Sequence, residues 1–349
     1  LSKNFNKTLI CGLGLIGGSF AKTLRKNGIC EKIFAFDSDE ETIELAKSEN
    51  VIDNGISNLS LLENIGDFDF IVIAAPLFAY EEILEELALN ISPSAVIIDL
   101  GSVKKIEEQL EILPKNLRKN FVPCHPIAGS EKTGFENSFA DLFADKKFII
   151  CPEFSDKNSV KKVEDLIKKI GANFEHLSAK KHDEIYALMS HLPQFLSFLT
   201  KDFSPKKITD NFLEKAFRLD DSDPQIWEEI FALNEVNLEK FYLKFFDSLD
   251  DTLKRFAREP DFFKQFEDVK KEKFDEEYFE KNFATIFFRI LIVKSYLEIP
   301  ETKTYLNYAG SGFRDFTSII SILNYDSKKL AELIKKNQSK ILKLFQQIS

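Results

Sequence analysis

Thr8-Leu9-Ile10-Cys11-Gly12-Leu13-Gly14-Leu15-Ile16-Gly17-Gly18 runs from a short β-branched and apolar stretch into G-x-G-x-x-G, and from there into an amphipathic stretch, Ile16 to Arg25. Gly12 permits a tight turn, Gly14 lets backbone approach a pyrophosphate, and Gly17 lets helix and strand pack closely. Leu15 and Ile16 open a helix whose N-terminal N–H groups meet an anion. Asp37 closes the next strand-like run twenty residues after Gly17. A carboxylate there accepts bonds from an adenosine ribose and repels a 2′-phosphate, which favours NAD over NADP. A purely structural glycine turn is the competing reading, and the strand before, helix after and distal aspartate weigh against it. Ala74-Ala75-Pro76 adds a small-residue turn after another strand-like run, at the edge where such cofactors lie.

Outward from this segment, Thr8 to Cys11, Ile33 to Phe36, Phe70 to Ala74, Val96 to Asp99, Phe121 to Cys124, Phe148 to Cys151 and Asn173 to His176 read as strands. Helical patterns separate most of them, at Ile16 to Arg25, Glu41 to Lys47, Tyr80 to Leu89 and Ser159 to Ile170. Apolar strands alternating with helices predict a Rossmann-like α/β domain, a doubly wound parallel sheet, over residues 1–178. Beyond Ser178 the strand pattern stops, and prolines 193, 205, 224, 260 and 300 punctuate helical periodicity. Residues 179–349 are therefore expected to form an all-α domain. Arg255 to Lys281, rich in charge and phenylalanine, reads as a solvated helical connector.

A chain of 349 residues with 44% hydrophobic and 30% charged residues can bury a core, which excludes a disordered protein. Its net charge of −10 argues against nucleic acid, because a phosphate backbone needs an electropositive face. The apolar runs are too short to span a membrane, and Leu1 to Lys7 is too polar to open a signal peptide. Cys11, Cys30, Cys124 and Cys151 lack metal-like spacing and read as reduced core thiols of a cytoplasmic protein with no metal site.

Four histidines remain to be weighed. His125 ends a strand and opens His125-Pro126-Ile127-Ala128-Gly129-Ser130-Glu131, and a strand-end histidine of such a sheet faces the ligand crevice. His191, in Ser190-His191-Leu192-Pro193-Gln194, is balanced between ligand contact and helix cap. His182 reads as a hinge residue paired with Asp183, and His176 as a surface residue.

Together, Gly12 to Ser19, Asp99-Leu100-Gly101-Ser102-Val103-Lys104, the His125 to Gly134 loop, Ser190 to Pro193 and Arg218-x-x-x-Ser222-Asp223-Pro224-Gln225-Ile226-Trp227 resemble the prephenate dehydrogenase family over residues 8 to roughly 240. The resemblance implies NAD-dependent oxidative decarboxylation of prephenate to 4-hydroxyphenylpyruvate in tyrosine biosynthesis. It makes His125 the histidine at the substrate's ring hydroxyl and Ser102 the serine that orients it. It also makes Arg218 the cation for a substrate carboxylate, with His191, Ser130 and Glu131 in the substrate site. Gln194 stands where many relatives have a second histidine, so an amide is expected at the substrate's side-chain end, where prephenate and arogenate differ. Competing readings are arogenate dehydrogenase, a β-hydroxyacid-type dehydrogenase with a catalytic lysine, and an inactive nucleotide-binding sensor. Neither a chorismate mutase segment before residue 8 nor a familiar regulatory domain after 250 is expected.

The family's glycine-rich half-motif is missing before Arg218, where residues 212–217 read Phe-Leu-Glu-Lys-Ala-Phe. It recurs as Tyr308-Ala309-Gly310-Ser311-Gly312-Phe313-Arg314-Asp315-Phe316-Thr317, with Ser318 in place of the arginine. Ile286 to Leu297 also resembles the helix after His191, and Leu333 to Phe345 resembles Leu233 to Phe246. A partial duplication, with halves 184–250 and 280–349, accounts for all three; an insertion inside one motif is the alternative. Duplication places Gly310 and Gly312 beside Arg218 and makes the chain either a homodimer or a pseudo-dimeric monomer.

Overall fold

The computed structural model describes residues 5–64, 68–105, 107–129, 132–258, 273–324 and 327–347. The chain divides into two compact units. One comprises Leu1–Asp183 with Pro224–Asn234; the other comprises Glu184–Asp223 with Glu235–Ser349.

The first unit is built on an eight-stranded sheet of order β3-β2-β1-β4-β5-β6-β7-β8. Its strands are β1 (Phe5–Cys11), β2 (Cys30–Phe36), β3 (Asn54–Ile56), β4 (Phe70–Ile73), β5 (Val96–Asp99), β6 (Phe121–Pro126), β7 (Lys147–Ile150) and β8 (Asn173–His176). Every pairing is parallel except β6 with β7. The seven strands expected from the sequence are all present. β3, a three-residue edge strand with an exposed asparagine, is additional. β7, and β8 parallel to it, run against the other six strands and depart from the expected all-parallel sheet.

Helices α1 (Leu15–Lys26), α2 (Glu40–Ser48), α3 (Tyr80–Asn90) and α4 (Lys157–Lys169) coincide with the four amphipathic stretches. Separate apolar clusters cover the two faces of the sheet. One gathers Ile10, Val72 and Ile98 with α1 and α4; the other gathers Leu9, Ile71, Ile73 and Ile97 with α3. This two-sided burial is why β4 and β5 read as unbroken apolar runs, each such side chain contributing about 1.5–3 kcal/mol. α5 (Ala179–Tyr186) begins in this unit, where Ala179 N–H donates to Glu153. Pro224–Leu233, α8 in chain order, also belongs to it.

The second unit is helical: α6 (Leu192–Thr200), α7 (Asn211–Phe217), α9 (Glu235–Arg258), α10 (Phe283–Leu297), α11 (Ser311–Ser318) and α12 (Ser327–Phe345). α10 is buried nearly all round, the signature of a central helix, and packs against both α9 and α12. α11 packs against α6 and α7. The segment 280–349 thus shares one core with the helices of 184–250. The expected connector between them falls largely on residues 259–272, outside the described residues.

Candidate active site

The carboxyl ends of four adjacent strands place the cofactor and chemistry segments in a row. Cys11 of β1 pairs with Ile73 of β4, Ile73 with Asp99 of β5, and Asp99 with Pro123 of β6. The residues that follow, Gly12, Ala74, the loop of Ser102, and His125, therefore emerge side by side across three strand spacings, about 14 Å. β1 and β4 flank the point where strand order reverses, which is where ligands bind in open α/β sheets.

The glycine turn fits a dinucleotide. Gly12 adopts a φ of +94°, and a Cβ there would lie 2.7 Å from Ala74 O. At Gly17 a Cβ would lie 1.9 Å from Gly12 O, so only glycine allows α1 to sit this close. Nothing lies within 4 Å of the Cβ position of Gly14, the N-cap of α1, leaving open approach to the first N–H groups of the helix. Leu15 is buried and Ile16 half-buried on that first turn. Asp37 accepts hydrogen bonds from Leu13 N–H at 2.7 Å and Asp39 N–H at 3.0 Å, so its carboxylate braces the turn as well as standing at the end of β2. Ala74 and Ala75 lead into Pro76 and Leu77, whose N–H donates to Glu229 of α8 at 3.0 Å. A cavity of about 300 Å3 lies beside this turn, lined by Leu77, Phe78, Val103, Glu229 and Leu233.

Beneath the row sits a buried ion pair. Lys104 Nζ contacts Asp99 and donates to Cys124 O at 2.6 Å, with both side chains wholly excluded from solvent. Asp99 also accepts from Cys124 N–H at 3.1 Å, Gly101 N–H at 3.1 Å and the Tyr80 hydroxyl at 3.2 Å. Burial, reinforced by Asp99, pushes the Tyr80 phenol well up, which keeps it a donor. The charged ends of Asp99-x-x-x-x-Lys104 thus lock β5 to β6 and fix the loop carrying half-buried Ser102.

His125 is half-buried near the end of β6, its Nδ1 2.8 Å from His182 Nε2. His182 is fully buried, and its Nδ1 stands 2.8 Å from Asp183 Oδ1. That oxygen also accepts from Lys104 N–H at 2.8 Å, and Asn234, just past α8, donates to Asp183 O at 2.8 Å. His182 is paired with its neighbour as the sequence suggests, but sequence reasoning missed its contact with His125. Its setting, Lys180-Lys181-His182-Asp183-Glu184, reads as a solvated helix start; the available signal was that α5 begins just after β8. His176 is on the surface, 3.2 Å from Glu164. Ser130 and Glu131 lie outside the described residues.

In the helical unit, His191 is buried on a π-helical turn, Ala187–His191, a local irregularity frequent at functional sites. Arg218 is partly exposed, its Nε and Nη2 donating to Asp315 Oδ2 at 2.9 and 2.7 Å. Asp315 comes from the second glycine-rich segment, and the Cβ position of Gly312 lies 3.4 Å from the Leu219 side chain. Gly310 is the N-cap of α11, so the half-motif missing before Arg218 is restored beside it in space. Gln194 is buried, donating to Leu219 O at 2.7 Å and accepting from Ser222 Oγ at 3.2 Å. The amide thus bonds at both ends to the turn carrying Arg218.

All four cysteines are buried free thiols, and burial pushes the thiol of Cys11 up to about 12, so none is a ready nucleophile. Among the described residues no cluster of histidine, cysteine and carboxylate suits a metal, and no helix is long and apolar enough to cross a membrane.

Comparison with known proteins decides the family. Residues 20–176 match the model of the prephenate dehydrogenase nucleotide-binding domain, and residues 178–268 match that of the prephenate dehydrogenase dimerization domain. A prephenate dehydrogenase from A. aeolicus, solved with hydroxyphenyl propionate and NAD+, is 34% identical, with a TM-score of 0.66 over 74% of this chain and 92% of that one. The chain belongs to the prephenate dehydrogenase family. Among its relatives, the prephenate dehydrogenase of Bacillus subtilis is 30% identical over 65% of this chain, which spans 64% of that protein's length. The cyclohexadienyl dehydrogenase of Zymomonas mobilis is 27% identical over 66% of this chain and 81% of its own. The dimerization-domain match ends at residue 268, ahead of the second glycine-rich segment.

Proposed function

We propose that this prephenate dehydrogenase family member is an NAD-dependent oxidoreductase that converts prephenate to 4-hydroxyphenylpyruvate, a cytoplasmic step of tyrosine biosynthesis. The observation that carries the reading is the row of strand ends, which sets a glycine turn fitted to a dinucleotide beside Ser102 and His125. When bound there, NAD supplies the hydride acceptor. Gly12, Gly14, Leu15, Ile16 and Gly17 hold its pyrophosphate, Asp37 its ribose, and Ala74, Ala75 and Pro76 flank it. His125 takes the proton from the ring hydroxyl as hydride leaves the same carbon; an imidazole suits this near neutral pH. Loss of carbon dioxide then aromatises the ring. Arg218 receives a substrate carboxylate, the guanidinium fork being held in orientation by Asp315. His191 is a further substrate-contacting residue implied by the family resemblance, and Gln194 supports the turn that carries Arg218. The direct test is NADH production with prephenate and arogenate side by side. A higher kcat/KM with prephenate is expected, and no turnover of either would overturn the reading.

Asp37→Ser is expected to weaken NAD and improve NADP, because ribose bonds and repulsion of a 2′-phosphate are lost together. The same change loosens the turn at Leu13, so the readout is the ratio of the two KM values. An unchanged NAD:NADP ratio would remove Asp37 from the ribose site.

We further infer that 280–349 is a duplicated copy serving as a built-in partner. Each half contains, in the same order, an apolar helix (α6, α10), a short helix (α7, α11), a 3-10 turn (Arg218–Asp221, Ile319–Asn324) and a long helix (α9, α12), with α8 additional in the first half and Pro300–Thr304 in the second. Active protein is expected to sediment as a monomer. An obligate dimer with one chain's Gly310 in the other chain's site would sink the idea.

A further inference from the structure

The geometry points to His182 and Asp183 as a positioning pair that sets the tautomer of His125 and shares the proton it accepts. The inference rests on the proposed role of His125 as the base. Asp183 Oδ1 lies 2.8 Å from His182 Nδ1, and as a carboxylate it only accepts, so the proton of that bond sits on Nδ1. His182 Nε2 then carries a lone pair. It lies 2.8 Å from His125 Nδ1, which must supply the proton of that second bond. By the same logic His125 Nε2 is the lone-pair nitrogen, the form able to take a proton from a substrate hydroxyl. One carboxylate thereby fixes two rings through two hydrogen bonds, as an orienting acid fixes a single histidine in a hydrolase triad.

The arrangement is anchored on all sides. Asp183 Oδ1 accepts from Lys104 N–H at 2.8 Å, and Lys104 is held by the buried pair with Asp99. Asp183 O accepts from Asn234, and Glu153 receives the first N–H of α5. His182 has no exposed surface, so water does not compete for its ring.

Proton balance follows from the connectivity. As the substrate O–H bond breaks, its proton bonds to His125 Nε2, and the resulting imidazolium can pass its Nδ1 proton to His182 Nε2. His182 retains its Nδ1 proton toward Asp183, so the positive charge comes to rest next to a carboxylate. Loss of carbon dioxide leaves a phenolate at that oxygen; as the transfer between the rings reverses, His125 Nε2 returns the proton to it, which gives the phenol and resets the pair with no further reactant.

Among the described residues, the charged and titratable groups near the pair include Asp99 and Lys104 from β5 and its loop, Cys124 from β6, and Cys151 and Glu153 after β7. Asp99 and Lys104 neutralise each other, and Asp183 is the carboxylate bonded to the ring of His182.

The test is the pH profile of kcat/KM for NADH production from prephenate in the wild type, Asp183→Asn, His182→Gln and His182→Leu. The base must be neutral to act, so the rate rises with pH through its apparent pKa. Asparagine keeps an acceptor for Lys104 N–H but removes the charge that stabilises the imidazolium. The acid limb should therefore move to lower pH by about one unit, with a lower plateau. His182→Leu should lower kcat by roughly 10–100-fold with KM for NAD unchanged, and His182→Gln, whose amide oxygen can accept from His125 Nδ1–H, should lose less. An acid limb unmoved in Asp183→Asn, or equal losses in the glutamine and leucine variants, would reduce the pair to a structural role and overturn the proposal. If His182→Leu does not fold, the Asp183→Asn limb decides alone. A folded wild type inactive on prephenate overturns the functional reading itself, whereas an active wild type with an unmoved limb overturns only the pair.

Discussion

His125→Asn is expected to lower turnover of prephenate by roughly 10²–10⁴-fold, the range for loss of a general base. Asparagine places an amide near the position of Nδ1, so a hydrogen bond to His182 persists and β6 keeps its pairing with Ile149 of β7. What disappears is the second ring nitrogen, and with it any acceptor for the substrate's proton. Cofactor affinity should remain close to wild type, because the glycine turn lies three strands away along the sheet edge. The split between kcat and KM is the decisive readout: equal loss of kcat and kcat/KM marks an interaction made in the transition state. If the variant retains more than a tenth of wild-type kcat while NAD binding is intact, the base is another group. A hydroxyacid-type mechanism with a helical-domain lysine would then return as the leading reading.

The sheet was legible in the sequence because burial on both faces erases alternation, leaving runs such as Phe70–Ile73 and Val96–Asp99 that only a parallel core strand explains. β3 escaped because three residues at an edge carry too little pattern. The reversed direction of β7 escaped because an apolar run buries equally well either way. At the site, His125 was legible by its place at a strand end, whereas His182 was not, since only the fold brings the start of α5 against β6. Asp99 and Lys104 were visible as members of a motif, but their mutual burial depends on β5 and β6 being neighbours. Gln194 was assigned to the substrate by position in a motif, and its environment adds what position omits: this buried amide also bonds a backbone carbonyl and a hydroxyl of the Arg218 turn. Arg289 was overlooked although its signal was plain, a charge in the middle of the otherwise apolar run 286–293.

That arginine carries the largest expected effect on stability. Its guanidinium is fully buried in α10 and meets Asp220, just past Arg218, with Nη2 2.9 Å from each carboxylate oxygen. Ser197 of α6 and Ser204 donate to the same carboxylate, and the ring of Phe217 lies 4.7 Å from the guanidinium carbon. Burial alone pushes the Arg289 guanidinium down, and Asp220 counters it. Asp220→Ala removes the counter-charge and strands the cation, which should cost about 3–5 kcal/mol. Replacing both partners, Asp220→Leu with Arg289→Leu, should recover most of that loss, because two apolar groups carry no stranded charge and the two serines can turn to backbone acceptors. Denaturant unfolding of the wild type, Asp220→Leu, Arg289→Leu and the double variant forms a double-mutant cycle, with Asp220→Ala measured beside it. The cycle reports on architecture as well as energy, since Asp220 belongs to the segment bearing the Arg218 motif and Arg289 to the segment bearing the displaced glycine half. A coupling of several kcal/mol means the two segments form one cooperative core, as α10 buried on all sides requires. Asp220→Ala within 1 kcal/mol of wild type would mean instead that the second segment is an appendage, and the built-in partner would lose its physical basis.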